Sequence, residues 1–136
     1  MGRRAIIWRN MNRTREARMA TIDELQAQVR DFCDERDWRQ FHTPKELAIG
    51  MVTEASELLE IFRFQNDAQM QALLADDKTR AHVADELADT FNFLLRFADL
   101  YGFDLTECLT AKLAKNAERY PVETFRGNNE KAPHHE

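Results

Sequence analysis

Four carboxylates stand in two pairs, Glu54 with Glu57 and Glu86 with Asp89, each pair three residues apart. On a helix, residues at i and i+3 share a face and are separated by about 4.5 Å of rise. Each pair can therefore aim two carboxylates at one point. The same spacing joins Asp31/Asp34, Asp34/Asp37, Glu57/Glu60 and Asp104/Glu107, where it suits a solvated charged face. Angular position separates the cases. At about 100° per residue, Glu86 falls between Phe93 and Phe97, inside an apolar arc, and Glu54 falls between Leu47 and Ile61, at the edge of another. A carboxylate on a buried face is costly without a cationic partner or a metal ion. Lys78, Arg80 and Arg96, on the same stretch as Glu86, project roughly 80° or more away from it. Two helices bringing misplaced acids together would suit a hard cation such as Mg²⁺, or Mn²⁺ in its place, with coordination positions left for phosphate. The other reading is a buried glutamate paired with a cationic side chain.

A second constellation is basic. Lys112, Lys115, Asn116 and Arg119 recur at spacings of three and four, and Lys112, Asn116 and Arg119 line one stripe. A point charge, an amide and a guanidinium fork suit a polyphosphate. The same residues also suit a helix end, where cations complement the dipole. Upstream, Arg36-Asp-Trp38-Arg-Gln-Phe41-His42 is aromatic and polar. It reads either as a stacking wall for a base or as packing at a helix corner. His42 has no second His or Cys at ligand spacing.

The elements that must position these groups read as helices throughout. Thr21-Ile-Asp-Glu24 fits a capping box, opening a helix expected to reach about Trp38. Thr43-Pro44-Lys-Glu46 opens a second, with Pro at its first position, reaching about Arg63. Asn66 to Leu74 reads as a short amphipathic helix. Asp77 to Tyr101 reads as a long one stopped by Gly102. Asp104-Leu-Thr-Glu107 starts a last helix that must end before Pro121. The long helix is apolar over well more than half of its circumference, which implies burial on several sides. A chain of 136 residues can hardly cover it alone, so self-association is expected, with this helix near the subunit contact.

Composition limits the classes. The chain is 43% hydrophobic and 32% charged, too apolar for disorder and without an apolar run long enough to span a membrane. Four Gly and three Pro argue against a many-turned β-sandwich or barrel. Cys33 and Cys108 form no disulfide framework and read as reduced thiols in a cytoplasmic protein. Residues 1–20 hold six Arg against one acid, a net of +5 within an overall charge of −5, which leaves −10 on the remainder. So acidic a body repels a nucleic-acid backbone. We expect residues 1–20 to be a flexible basic extension (Met19 offers an alternative start), residues 21–125 a single all-α domain, and residues 126–136 a flexible tail.

Together these residues resemble the MazG-like all-α nucleoside triphosphate pyrophosphohydrolases. The family pattern, E-x-x-E, a spacer, then E-x-x-D, is matched by Glu54-Ala-Ser-Glu57, 28 intervening residues, and Glu86-Leu-Ala-Asp89. Lys112-x-x-x-Asn116-x-x-Arg119-Tyr120-Pro121 matches the family's ending. The front, Glu35 to Ala48, is similar to the dCTP pyrophosphatase branch. The resemblance implies a four-helix-bundle-like fold assembled as a homodimer, or as a tetramer of two dimers. It implies that Glu54, Glu57, Glu86 and Asp89 hold Mg²⁺ and are catalytic, with Glu57 the candidate base, and that Lys112, Asn116 and Arg119 grip the phosphates. It places Trp38 in a base pocket, together with Phe64 and Phe93, which stand where related dCTP enzymes tend to have Trp and Tyr. A His on the first helix is replaced by Val29. Stacking surface is kept and polar readers are lost, so the reaction class is better defined than the base. The reaction implied is hydrolysis of dCTP or a related deoxynucleotide to monophosphate and pyrophosphate. dUTP or phosphoribosyl-ATP are the alternative substrates within the superfamily, and a non-catalytic helical module is the alternative outside it.

Overall fold

The computed structural model describes residues 19–132. The expected basic extension lies outside the described residues except for Met19 and Ala20. Among the described residues every regular element is helical, as the capping pattern requires.

Helix α1 (Ile22–Asp34) starts at the expected capping box: the Thr21 hydroxyl accepts from the Glu24 amide at 3.2 Å, and the Glu24 carboxylate accepts from the Thr21 amide at 2.9 Å. It ends earlier than expected. Asp37 adopts a left-handed conformation (φ 53°), and Trp38–Phe41 forms a separate 3₁₀ turn. Asp tolerates this region better than most residues. The Gln40 amide locks the turn by donating to the Asp37 carbonyl at 3.0 Å and to its carboxylate at 2.9 Å.

Helix α2 (Pro44–Phe62) is capped by Thr43, and α3 (Asp67–Ala75) by an Asn66/Gln69 capping box. The long α4 (Asp77–Tyr101) is capped by Asp76 and stopped by Gly102 at φ 72°, a conformation that favours glycine. α5 (Leu105–Arg119) starts at Asp104. A short α6 (Val122–Phe125) follows Pro121, a turn of helix that the sequence reading did not foresee.

Helix α4 is the centre of the molecule. It packs along α2, and α1 and α3 lie against it. Cys33, Leu47, Leu95 and Ala98 are the buried apolar residues between these helices. Much apolar surface is left uncovered. Ile49, Val52 and Leu59 on α2 and Leu87, Phe91 and Leu94 on α4 are all exposed, Leu87 at 53%. α5 makes no extended packing with any other helix, and its Leu109 is 60% exposed. The described chain is thus all-α as expected, with α1, α2 and α3 packed on α4. Of the expected C-terminal tail, residues 126–132 are described. Ala132 is buried, and its carbonyl accepts from Arg119 Nη2 at 2.8 Å.

Candidate active site

The packing of α2 on α4 brings the two acidic motifs together. Glu54, Glu57 and Glu86 each offer a carboxylate oxygen, and these oxygens lie within 4.8 Å of one another. Asp89 lies near enough for its charge to act on Glu54. Burial, then the charges of Glu57, Asp89 and Glu86, push the Glu54 carboxyl above its ordinary range. That pattern is expected when several carboxylates share a site without a neutralising cation.

Glu86 is 6% exposed, as its place in the apolar arc implied. Its partner is neither Lys nor Arg. His82, one turn earlier on α4, lies with Nε2 2.8 Å from Glu86 Oε1. The partner is a histidine at i−4 and none of Lys78, Arg80 and Arg96. The second oxygen, Oε2, is buried without a hydrogen-bond partner. A buried carboxylate oxygen left so is costly. Glu54 and Glu57 bring two more carboxylates to the same place. The donor set is hard oxygen throughout, which fits Mg²⁺ or Mn²⁺.

The basic stripe is not joined to this cluster within the described residues. Lys112 is exposed and Asn116 half-buried on α5, the helix without extended packing. Arg119 is engaged with the Ala132 carbonyl, and its guanidinium lies 5.5 Å from the Tyr120 ring centroid. The aromatic residues are dispersed. Trp38 packs edge-on against Phe32 with ring centroids 5.7 Å apart, which is the corner packing weighed as its alternative role. Phe64, at the end of α2, takes a left-handed φ of 64° and is 86% exposed, with the Arg63 guanidinium 4.5 Å from its ring centroid. Phe93 lies in the seam between α4 and α2, against Gly50.

Arg96 is a buried charge that sequence reasoning missed. It is 1% exposed. Its Nε donates to His42 Nδ1 at 3.1 Å and its Nη2 to Asp34 at 3.2 Å, with Asp99 3.6 Å from Nη1. Tyr101 donates to the His42 carbonyl at 2.8 Å, and Arg30 donates to Asp99 at 3.1 Å. Burial and the Arg96 charge hold His42 below its ordinary pKa, so it stays neutral with Nδ1 free to accept. This network pins the aromatic corner to α4. A signal was available: a lone Arg inside an apolar helix face, with acids on α1.

The MazG-like family model matches residues 49–134, which include both acidic motifs and α5. The chain belongs to the MazG-like family. A rat protein (Rattus norvegicus) named dCTP pyrophosphatase 1 is 34% identical over 108 residues, 79% of this chain and 64% of that protein. Its human counterpart (Homo sapiens) is 31% identical over 111 residues, 82% of this chain and 65% of that protein. The chain thus spans just under two thirds of the length of these relatives. A solved pyrophosphatase from Archaeoglobus fulgidus superposes with a TM-score of 0.70 at 33% identity, covering 76% of this chain and 95% of that one. Among the described residues no helix is long and apolar enough to cross a membrane.

Proposed function

We propose that this MazG-like chain is a Mg²⁺-dependent nucleoside triphosphate pyrophosphohydrolase that cleaves the α–β phosphoanhydride of dCTP or a related deoxynucleotide, releasing monophosphate and pyrophosphate. The observation that carries the reading is the convergence of Glu54, Glu57 and Glu86, the last of them buried and with its Oε2 unpartnered. The sequence likeness to proteins named dCTP pyrophosphatase 1 supports the base assignment.

Glu54, Glu57, Glu86 and Asp89 would hold the cation. When bound, it neutralises phosphate charge and lowers the pKa of water in its coordination sphere. The remaining work falls to the side chains. Glu57, the exposed member of the cluster, takes the proton of the attacking water. Lys112, Asn116 and Arg119 grip the phosphates, Arg119 after exchanging the Ala132 carbonyl for a phosphate oxygen. Trp38, Phe64 and Phe93 supply stacking surface for the base. Phosphoryl chemistry of this kind needs mainly positioning and charge neutralisation, which these groups provide.

The assembly is a homodimer or a tetramer of two dimers. The uncovered apolar residues of α2 and α4, and the unpacked α5, support this reading, since a second copy would bury the first and bring α5 to an acidic cluster. No nucleic acid is required, and the cytoplasm is the proposed location. The test is pyrophosphate release with Mg²⁺ from a panel of ribo- and deoxynucleoside triphosphates, with Glu57→Gln beside the wild type. Release from dCTP that is lost in the variant supports the proposal. No release across the panel removes it.

A further inference from the structure

Gly50 sits in the interior of α2, where glycine weakens a helix relative to alanine. A Cβ placed on it would lie 2.4 Å from Phe93 Cε1, 2.5 Å from Cδ1 and 2.7 Å from Cζ. Carbon atoms in contact are about 3.5–4.0 Å apart, so the Phe93 ring occupies the volume that any other side chain would fill. Close approach of the ring to the α2 backbone is the physical reason for a glycine here. The place of this contact matters. Gly50 lies one helical turn before Glu54, and Phe93 one turn after Asp89, so each shares a helix face with a carboxylate of the acidic cluster. The ring is half-buried, sunk into the seam immediately beyond the acids.

We propose that Gly50 is a specificity-determining residue: by letting the Phe93 ring sink against α2, it sets the depth of the aromatic wall beside the acidic cluster, and so the room left for the base of a nucleoside triphosphate. This inference rests on the proposed function of the site. A methyl group at position 50 displaces the ring by about 1 Å to restore van der Waals separation. The ring is a rotatable side chain, so it can move while α2 keeps its backbone, and the displaced ring enters the space for the base. The phosphate end of the substrate is untouched.

The experiment compares wild type, Gly50→Ala, Phe93→Leu and Gly50→Ala/Phe93→Leu. Four quantities are read: KM and kcat for dCTP, inhibition by inorganic tripolyphosphate (which has phosphates but no base), calorimetric affinity for dCMP, and the Mg²⁺-induced thermal shift. For Gly50→Ala we expect the dCTP KM to rise and the dCMP affinity to fall by roughly tenfold, the scale of one methylene in a pocket. Tripolyphosphate inhibition and the Mg²⁺ shift stay at their wild-type values. Phe93→Leu loses stacking surface of its own, and the double variant matches Phe93→Leu, because the smaller side chain clears the new methyl and the Gly50→Ala loss disappears. Unchanged dCTP and dCMP binding overturns the inference. So does an equal loss for dCTP and tripolyphosphate, which marks a general distortion, or a double variant that binds dCTP more weakly than Phe93→Leu by the same factor as Gly50→Ala falls below wild type. A wild type that hydrolyses no nucleoside triphosphate overturns instead the reading of the site on which the inference stands.

Discussion

Glu86→Gln should make the metal-free protein more stable and the metal-loaded protein less so. Glu54, Glu57 and Glu86 bring carboxylate oxygens within 4.8 Å of one another. Two unit charges at that separation repel by roughly 3.5 kcal/mol at an effective dielectric of about 20. Glu57 is exposed, and solvent screening at such a group reduces the effect to about 1 kcal/mol. The substitution also converts the orphaned Oε2 acceptor into an amide donor among carboxylate acceptors, while Oε1 can still accept from His82. Without metal, the melting temperature should rise by about 4 °C. With Mg²⁺, the wild type gains about 2.7 kcal/mol at one hundred times the dissociation constant, and the variant should gain little of this. The pH dependence gives a second check. Glu54 is held above its ordinary value of 4.5 by burial and by its acidic neighbours. The folded state therefore keeps a proton that the unfolded state has lost, and the associated stability is present below 4.5 and lost as pH rises through the raised folded value. Mild acidification thus relieves the metal-free wild type more than Glu86→Gln. The assay is thermal unfolding with chelator and with Mg²⁺ across that window. A metal-free variant that melts lower than wild type, while keeping the full Mg²⁺ shift, refutes the reasoning.

Three further outcomes follow from the same structure. Arg96→Met should lower the free energy of unfolding by about 3 kcal/mol, as expected when one partner of a buried charged network is removed; urea titration measures it, and a loss within experimental error would show that the network holds nothing. His42 is depressed from its ordinary 6.5 by burial and Arg96. Above 6.5 it is neutral in both states, and as pH falls toward the folded value the unfolded chain takes up the proton first, so stability declines over that window. His42→Gln, which keeps an acceptor, should flatten this decline in chemical denaturation at about pH 7.5 and about pH 5.5; an equally steep decline in the variant counts against the assignment. Leu87→Glu places a charge on the uncovered face of α4 and should reduce the sedimentation mass to that of one chain, whereas an unchanged mass would locate the contact elsewhere.

Helix boundaries were legible where local chemistry decides them. Thr21/Glu24, Thr43, Asp76 and Asp104 cap the expected helices through their own side chains, and Gly102 stops α4 with a positive φ. The acidic cluster was legible because a carboxylate inside an apolar arc violates the pattern around it, and Glu86 proved to be buried. Three features were less accessible. The early end of α1 depends on Asp37 entering the left-handed region, a choice stabilised by Gln40 and not visible as a Gly or Pro. The partner of Glu86 is a histidine, a residue without the permanent charge that marks Lys or Arg as a partner in the sequence. The Arg96 network joins residues 54 and 62 positions apart, and only tertiary packing brings them together. The basic stripe shows a further limit: periodicity places Lys112, Asn116 and Arg119 on one face of α5, but cannot say what that face meets.

Convergent carboxylates that direct hydrolysis to the α–β phosphoanhydride fix the first products of the reaction. Phosphorus NMR of the Mg²⁺-loaded protein with dCTP tests this most directly, because the products differ by the bond broken. The account predicts dCMP and pyrophosphate as the initial products, both absent with Glu57→Gln. The appearance of dCDP with orthophosphate would contradict it, as would turnover undiminished in that variant.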